Sequence, residues 1–144
     1  RANRYQQPLS LMLLDLDDFK AFNDAYGHIE GDRVLMRLGR VVKNCLRQTD
    51  SAYRYGGEEF TVLLPMTNLA EGVVTAERVR TAFGREIFSP VPGKEVRLTL
   101  SIGVGRYRPL EAMRDFVHRV DLLMYSGKKN GKDRVCSEMQ PPSR

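Results

Sequence analysis

Arg54-Tyr55-Gly56-Gly57-Glu58-Glu59-Phe60 sets two glycines and then two carboxylates between two segments of strand character. Ala52-Tyr53-Arg54-Tyr55 on one side and Phe60-Thr61-Val62-Leu63-Leu64 on the other are rich in aromatic, branched and apolar residues. That predicts a hairpin closed by a two-residue Gly56-Gly57 turn. Glycine takes both positive-φ positions of such a turn at little cost, and the missing Cβ lets a phosphate or sugar approach the backbone. Glu58 and Glu59, as neighbours on a strand, point to opposite faces, so one carboxylate faces a ligand while the other supports it. Taken alone, the stretch reads first as a surface hairpin whose acids keep an edge soluble, because short motifs recur by chance, and what lies upstream reverses that.

Upstream, Leu9-Ser10-Leu11-Met12-Leu13-Leu14 runs without a break into Asp15-Leu16-Asp17-Asp18-Phe19-Lys20. Four consecutive apolar residues suit a strand buried on both faces. An ionised carboxylate at the end of such a strand is costly unless a cation or a donor meets it. Hard oxygen ligands of this kind suit Mg²⁺, which keeps waters and takes one or two carboxylates together with substrate phosphates. Asp17 or Asp18 also reads as the cap of a helix that begins over residues 19–25. The backbone N–H groups of Asp18, Phe19 and Lys20 then sit at the positive end of that helix, where anions bind. If the hairpin neighbours this strand in the sheet, Asp15 and Glu58 converge beside an anion site, the layout of two-metal phosphoryl or nucleotidyl transfer.

The rest of the chain reads as scaffold. Val34, Leu35, Leu38, Val41, Val42, Cys45 and Leu46 recur at helical spacing, as do Val73, Ala76, Val79, Ala82 and Phe83, and later Phe116, Val117, Val120, Leu123 and Met124. Val96, Leu98, Leu100, Ile102 and Val104 alternate with Arg97, Thr99, Ser101 and Gly103, which is strand period, and Pro90-Val91-Pro92-Gly93 marks the loop before them. The order is βαββαβα, with a short last strand around Arg134 and Val135. This predicts an α/β (α+β) sandwich, a mixed central sheet with flanking helices.

With 144 residues, 42% of them hydrophobic, the chain fits one core. The formal charge of +5 would raise nucleic-acid binding, but the basic residues are dispersed and no aromatic platform accompanies them, so no nucleic acid is expected as a partner. Cys45 and Cys136 lack the spacing of a zinc site, and a reduced, cytoplasmic chain is expected. His28 and His118 show no ligand pairing, and no apolar run approaches a membrane span.

Taken in register, these motifs resemble the GGDEF domain family of diguanylate cyclases. Gly56-Gly57-Glu58-Glu59-Phe60 is similar to its signature, with Glu in third place, and Asp15-Leu16-Asp17-Asp18-Phe19-Lys20, Asn23-Asp24, Gly27-His28 and Gly31-Asp32 follow the family's order and spacing. The resemblance runs over residues 5–135 and implies a nucleotide-cyclase or polymerase-palm type of fold. It implies that two GTP molecules, one on each subunit of a homodimer, condense into cyclic di-GMP and release two pyrophosphates. Two Mg²⁺ or Mn²⁺ ions per active site are implied, held by Asp15, the Leu16 carbonyl and Glu58, with Glu59 supporting. Asp15, Glu58 and Glu59 become the catalytic acids, and Glu58 helps to deprotonate the attacking hydroxyl.

The resemblance makes Asn23 and Asp32 guanine readers, an amide that donates and accepts beside a carboxylate that accepts from ring N–H groups. In isolation Asp32, after Gly31, reads as the N-cap of the next helix. Phe19 and Lys20 join the substrate site. Lys128 and Lys132, four apart on one side of a helix end, become phosphate contacts, although the family often has Arg where Lys132 stands, which turns a fork into a point charge. Arg47 and Asp50 match the family's product-inhibition motif, with Arg78 as its auxiliary arginine; by themselves the first two read as an exposed pair at a helix end. Residues 1–136 are thus expected to form the cyclase domain, with its leading helix truncated, and 137–144 a tail or linker. The parent protein is expected to carry an upstream sensory or membrane region that brings two domains together. The alternative is a catalytically silent receptor for GTP or cyclic di-GMP.

Overall fold

Eight residues from Leu9 to Leu16 form the central strand β1 of a computed structural model that describes residues 7–54 and 57–138. The elements that follow are α1 (Phe19–Tyr26), α2 (His28–Cys45), β2 (Ser51–Arg54), β3 (Glu59–Pro65), α3 (Leu69–Gly84), β4 (Phe88–Val91), β5 (Lys94–Val96), β6 (Leu100–Arg106), α4 (Met113–Lys129) and β7 (Arg134–Ser137). The main sheet has the order β2-β3-β1-β6-β7. β1 is antiparallel to both its neighbours, β3 and β6, while β6 and β7 run parallel, so the sheet is mixed as expected.

Pleat alternation divides β1 between two cores. Met12, Leu14 and Leu16 pack with Phe19 and Phe22 of α1, Val34, Leu38 and Val42 of α2, and Ala76, Val79 and Phe83 of α3. Leu11 and Leu13 face the other way, onto Phe116, Val120 and Met124 of α4. Both faces of β1 are therefore covered, and each large apolar side chain withdrawn from water there contributes about 2 kcal/mol. β6 is buried along nearly its whole length for the same reason. Its small residues let α4 come close: a Cβ on Gly103 would stand 2.4 Å from the Val120 carbonyl oxygen and 2.6 Å from the Met124 nitrogen. α3 starts with a capping box in which the Asn68 side chain accepts from the Glu71 N–H and the Glu71 carboxylate accepts from the Asn68 N–H.

Several local expectations are corrected. The helical segment after β1 is split at Gly27, whose φ of +91° ends α1 and opens α2, so Asp32 lies inside α2 and caps nothing. Pro90 and Val91 belong to β4, which pairs with β5 as a separate hairpin, and only Pro92-Gly93 remains as the turn, with Gly93 at φ +80°. The alternating strand starts at Leu100 rather than Val96, which belongs to β5. At the β2–β3 tip Arg54 pairs with Phe60, a register centred on Gly57, whereas a two-residue Gly56-Gly57 turn would set Arg54 opposite Glu59. Gly57 has the positive φ that turn chemistry requires, +56°; Tyr55 and Gly56 lie outside the described residues. Helix α4 ends at Lys129, so Lys132 is not on it.

Candidate functional site

The alternation that sends Leu11 and Leu13 toward α4 continues past the apolar run and delivers Asp15 and Asp17 to the same side. Asp15 pairs with Glu59 of β3 on one flank and with Ser101 of β6 on the other. The adjacency anticipated for the two acidic segments is therefore present: β1 and β3 are direct neighbours. Glu58 precedes Glu59 in the turn, and both carboxylates act electrostatically on Asp15.

Burial raises the Asp15 carboxyl from its ordinary 3.8 to about 6, Lys128 opposes that rise, and Glu58 and Glu59 add to it. One oxygen, Oδ1, is buried with no hydrogen-bond partner. Glu59 is likewise raised, by burial, by Asp121 and by Glu58. Acids that repel one another around an unmatched buried oxygen form a site that a hard cation would stabilise, and its oxygen donors fit Mg²⁺ or Mn²⁺. Among the described residues no three Asp, Glu, His or Cys side chains are arranged to hold a metal by themselves. A cation here therefore also needs backbone carbonyl, water or substrate oxygens.

Asp17 differs from its neighbour in being fully matched. Its side chain is 1% exposed and accepts from Thr99 Oγ1 at 2.7 Å, Ser101 Oγ at 2.7 Å, Lys128 Nζ at 3.0 Å and the Asp133 N–H at 3.0 Å. Burial pushes its carboxyl up, but these donors outweigh that and hold it below the usual range. Asp17 thus ties β1 to β6, α4 and the approach to β7, a role the sequence reading did not assign. The signal was available: Thr99 and Ser101 are the polar members of the alternating segment, and a hydroxyl on a buried face needs a partner.

Lys128, on the last turn of α4, donates to the Leu16 carbonyl at 2.8 Å and to Asp17, and its ammonium stands 3.6 Å from Asp15 Oδ2. Lys132 reaches the same strand end from a left-handed bend in which Gly131, Lys132 and Asp133 have φ of +119°, +63° and +47°. Its ammonium lies 2.5 Å from Asp18 Oδ1. Asp18 occupies the N-cap position of α1 at φ +59° but makes no side-chain cap bond, so its carboxylate serves Lys132 instead of the helix. Phe19 is buried in the core, while Lys20 is exposed and pairs with Asp24 at 3.0 Å.

Asn23 meets α2 at Gly31, where an added Cβ would lie 1.8 Å from Asn23 Oδ1; the glycine is required for this contact. That oxygen is also buried without a partner, and Asp32, exposed, follows Gly31 in the chain. At the far end of α2, Arg47 and Asp50 are more than a surface pair. Asp50 is 2% exposed in its side chain and accepts from the Arg47 backbone N–H at 2.8 Å and from its guanidinium at 2.9 Å. Arg47 also donates to the Pro65 carbonyl and Thr67 Oγ1. Arg78, which donates to the Cys45 carbonyl at 3.4 Å, lines with them a cleft of about 410 Å³. A larger cleft of about 700 Å³, bordered by Lys43, Tyr53 and Phe60, shares Arg47 and Asp50 as its wall. Cys45 and Cys136 are both free thiols.

Residues 1–134 match the family described as diguanylate cyclase, GGDEF domain. Diguanylate cyclase A of Treponema denticola is 40% identical over 131 residues, which cover 90% of this chain and 35% of that protein. The GGDEF domain of DgcB from Caulobacter crescentus, solved in complex with c-di-GMP, superposes with a TM-score of 0.89 at 29% identity, covering 94% of this chain and 81% of that one. The active GGEEF domain of a diguanylate cyclase from Vibrio cholerae gives a TM-score of 0.89 at 32% identity, covering 98% and 89%. The chain spans about a third of the length of the curated relatives it matches.

Proposed function

We propose that this chain, which belongs to the GGDEF family of diguanylate cyclase domains, condenses two GTP molecules into cyclic di-GMP with release of two pyrophosphates. The observation that carries the reading is the β1–β3 register, in which Asp15 near the end of one strand stands opposite Glu59, the first residue of the next, with Glu58 just before it in the turn. Asp15, the Leu16 carbonyl and Glu58 would hold two divalent cations, Mg²⁺ or Mn²⁺, with Glu59 behind them; the unmatched Asp15 oxygen supports this. Such ions, when bound, acidify a hydroxyl and shield phosphate charge.

The chain's own groups do the remaining work. Glu58 accepts the proton of the attacking 3′-hydroxyl, and Glu59 keeps the local field negative. Lys128, Lys132 and the N–H groups of Asp18, Phe19 and Lys20 bind the triphosphate, Lys132 exchanging its exposed contact with Asp18 for a phosphate oxygen. Asn23 and Asp32 read the guanine edge, and adenine would leave the buried Asn23 oxygen and the Asp32 carboxylate mismatched. Each domain supplies one GTP, so two domains must face one another as a homodimer. An upstream region of the parent protein would bring them together in the cytoplasm. Among the described residues no helix is long and apolar enough to cross a membrane.

The Arg47, Asp50 and Arg78 cleft serves as the product-inhibition site: a guanidinium can fork onto the Hoogsteen edge of guanine while a carboxylate accepts from its N–H groups. That cleft also keeps alive a second reading, a receptor that binds cyclic di-GMP without turnover. To separate them, the chain fused to a dimeric coiled coil is incubated with GTP and Mg²⁺ and the product is quantified by chromatography. Cyclic di-GMP formation that vanishes in Glu58→Ala supports the cyclase. Calorimetric binding of cyclic di-GMP that Arg47→Ala abolishes, with no turnover in either protein, would replace it with the receptor.

A further inference from the structure

The groups proposed above as metal ligands already have a cation among them. Lys128 Nζ donates to the Leu16 carbonyl at 2.8 Å and sits 3.6 Å from Asp15 Oδ2, so one ammonium touches two of the three ligands. Resting on that metal reading, we propose that Lys128 and a divalent cation compete for these oxygens, so that the lysine is released to the triphosphate only when the cation is in place.

Charge and geometry argue together. A Mg²⁺-type ion binds oxygen at about 2.0–2.1 Å, and an ammonium bonded to the same carbonyl would be a like charge at close range in a site shielded from solvent. Lys128 is 20% exposed in its side chain, so screening by salt is weak there. The departure is also easy for what stays behind. Asp17, the lysine's strongest anionic partner, retains Thr99, Ser101 and the Asp133 N–H as donors, which leaves its buried charge matched. A lysine carries its charge on a flexible four-carbon stem and can swing, whereas Asp17 and the Leu16 carbonyl are fixed by the sheet. Cation entry and phosphate grip become one coupled event, in which the enzyme holds its triphosphate contact in reserve.

The experiment follows the lysine itself. The 144-residue chain is treated with an amine-acylating reagent with and without Mn²⁺, and modification of each lysine is read by peptide mass spectrometry, with exposed Lys20 as the internal reference. Mn²⁺ affinity is measured in parallel by electron paramagnetic resonance for the wild type, Lys128→Met and Lys132→Met. Mn²⁺ should raise Lys128 acylation several-fold, and Lys128→Met should bind Mn²⁺ about tenfold more tightly than wild type. Lys132→Met removes an equal charge close by without freeing either oxygen and should change affinity less. Mn²⁺ binding with Lys128 acylation unchanged or lowered would overturn the competition and leave the metal reading intact. Absence of Mn²⁺ binding in all three proteins would overturn both. The wild-type labelling needs no variant to fold.

Discussion

Replacing Asp15 with Asn should make the cation-free domain more stable at neutral pH. The carboxyl stands at about 6 in the folded chain against an ordinary 3.8, chiefly because it is buried and then because Glu58 and Glu59 face it. Its folded value lies above its unfolded one, so the folded state takes up the proton first. Asp15's contribution to stability is therefore full below about pH 3.8 and is lost as pH rises through about 6. A shift of this size corresponds to about 3 kcal/mol over the whole window, of which about 2 kcal/mol falls between pH 4.5 and 7.5. Asparagine keeps the shape and removes the charge. Urea unfolding in EDTA at pH 4.5, 6 and 7.5 should give curves for wild type and Asp15→Asn that diverge with pH, the variant ahead by about 2–3 kcal/mol at pH 7.5. Mn²⁺ at about a hundred times its Kd should then stabilise wild type by about 2.7 kcal/mol, bringing it level with a variant that gains less from the ion. A variant less stable than wild type at pH 7.5 in EDTA, or one with the wild-type pH slope, would refute the claim that burial and the neighbouring acids outweigh Lys128 in disfavouring the Asp15 charge.

Asp17→Ala should do the opposite, destabilising the fold by about 3 kcal/mol at pH 7 by leaving the Thr99, Ser101 and Asp133 N–H donors unmatched and taking from Lys128 its nearest carboxylate. The Asp17 carboxyl is held below its ordinary value, so its contribution is present above about pH 4 and lost as pH falls below it; the acid limb of the wild-type curve should be shallower in the variant. Gly103→Ala should lower stability by about 3 kcal/mol by thermal unfolding, since the new methyl meets the backbone of α4 and no rotamer change relieves it. Asn68→Ala should cost about 1 kcal/mol through loss of the capping box, with unchanged nucleotide binding. In competition binding, Asp32→Ala should erode preference for GTP over ATP more than Lys128→Ala does; equal erosion would count against base reading by Asp32.

The sequence already carried the parts of the fold that depend on hydrophobic order. Leu11 to Leu14 marked β1 as central because only a strand covered on both faces tolerates four large apolar residues in succession. The acids at its end point to a counter-charge, because a carboxylate buried there is costly without one. What stayed hidden depends on backbone torsion and on contacts distant along the chain. The break at Gly27 and the β4–β5 hairpin are set by positive-φ glycines, and a glycine in sequence does not announce its torsion. The tip register shifted by one residue because Arg54 and Phe60 pair, centring the turn on Gly57. The mutual grip of Asp17, Thr99, Ser101 and Lys128 spans up to 111 positions along the chain, beyond any local pattern. The four-residue spacing from Lys128 suggests a helix for Lys132, yet Lys132 reaches Asp18 from a left-handed bend.

The division of β1 between two cores sets how damage travels through the domain. Leu13 and Asp15 are successive steps on one side of a ribbon, and Val120 and Lys128 ride the same helical rod above them. A substitution that tilts that rod moves an ammonium and a carboxylate relative to each other while the opposite core stays closed. Variants can then arise that melt at the normal temperature and have lost their chemistry, with the lesion about two turns of helix from the ammonium it displaces.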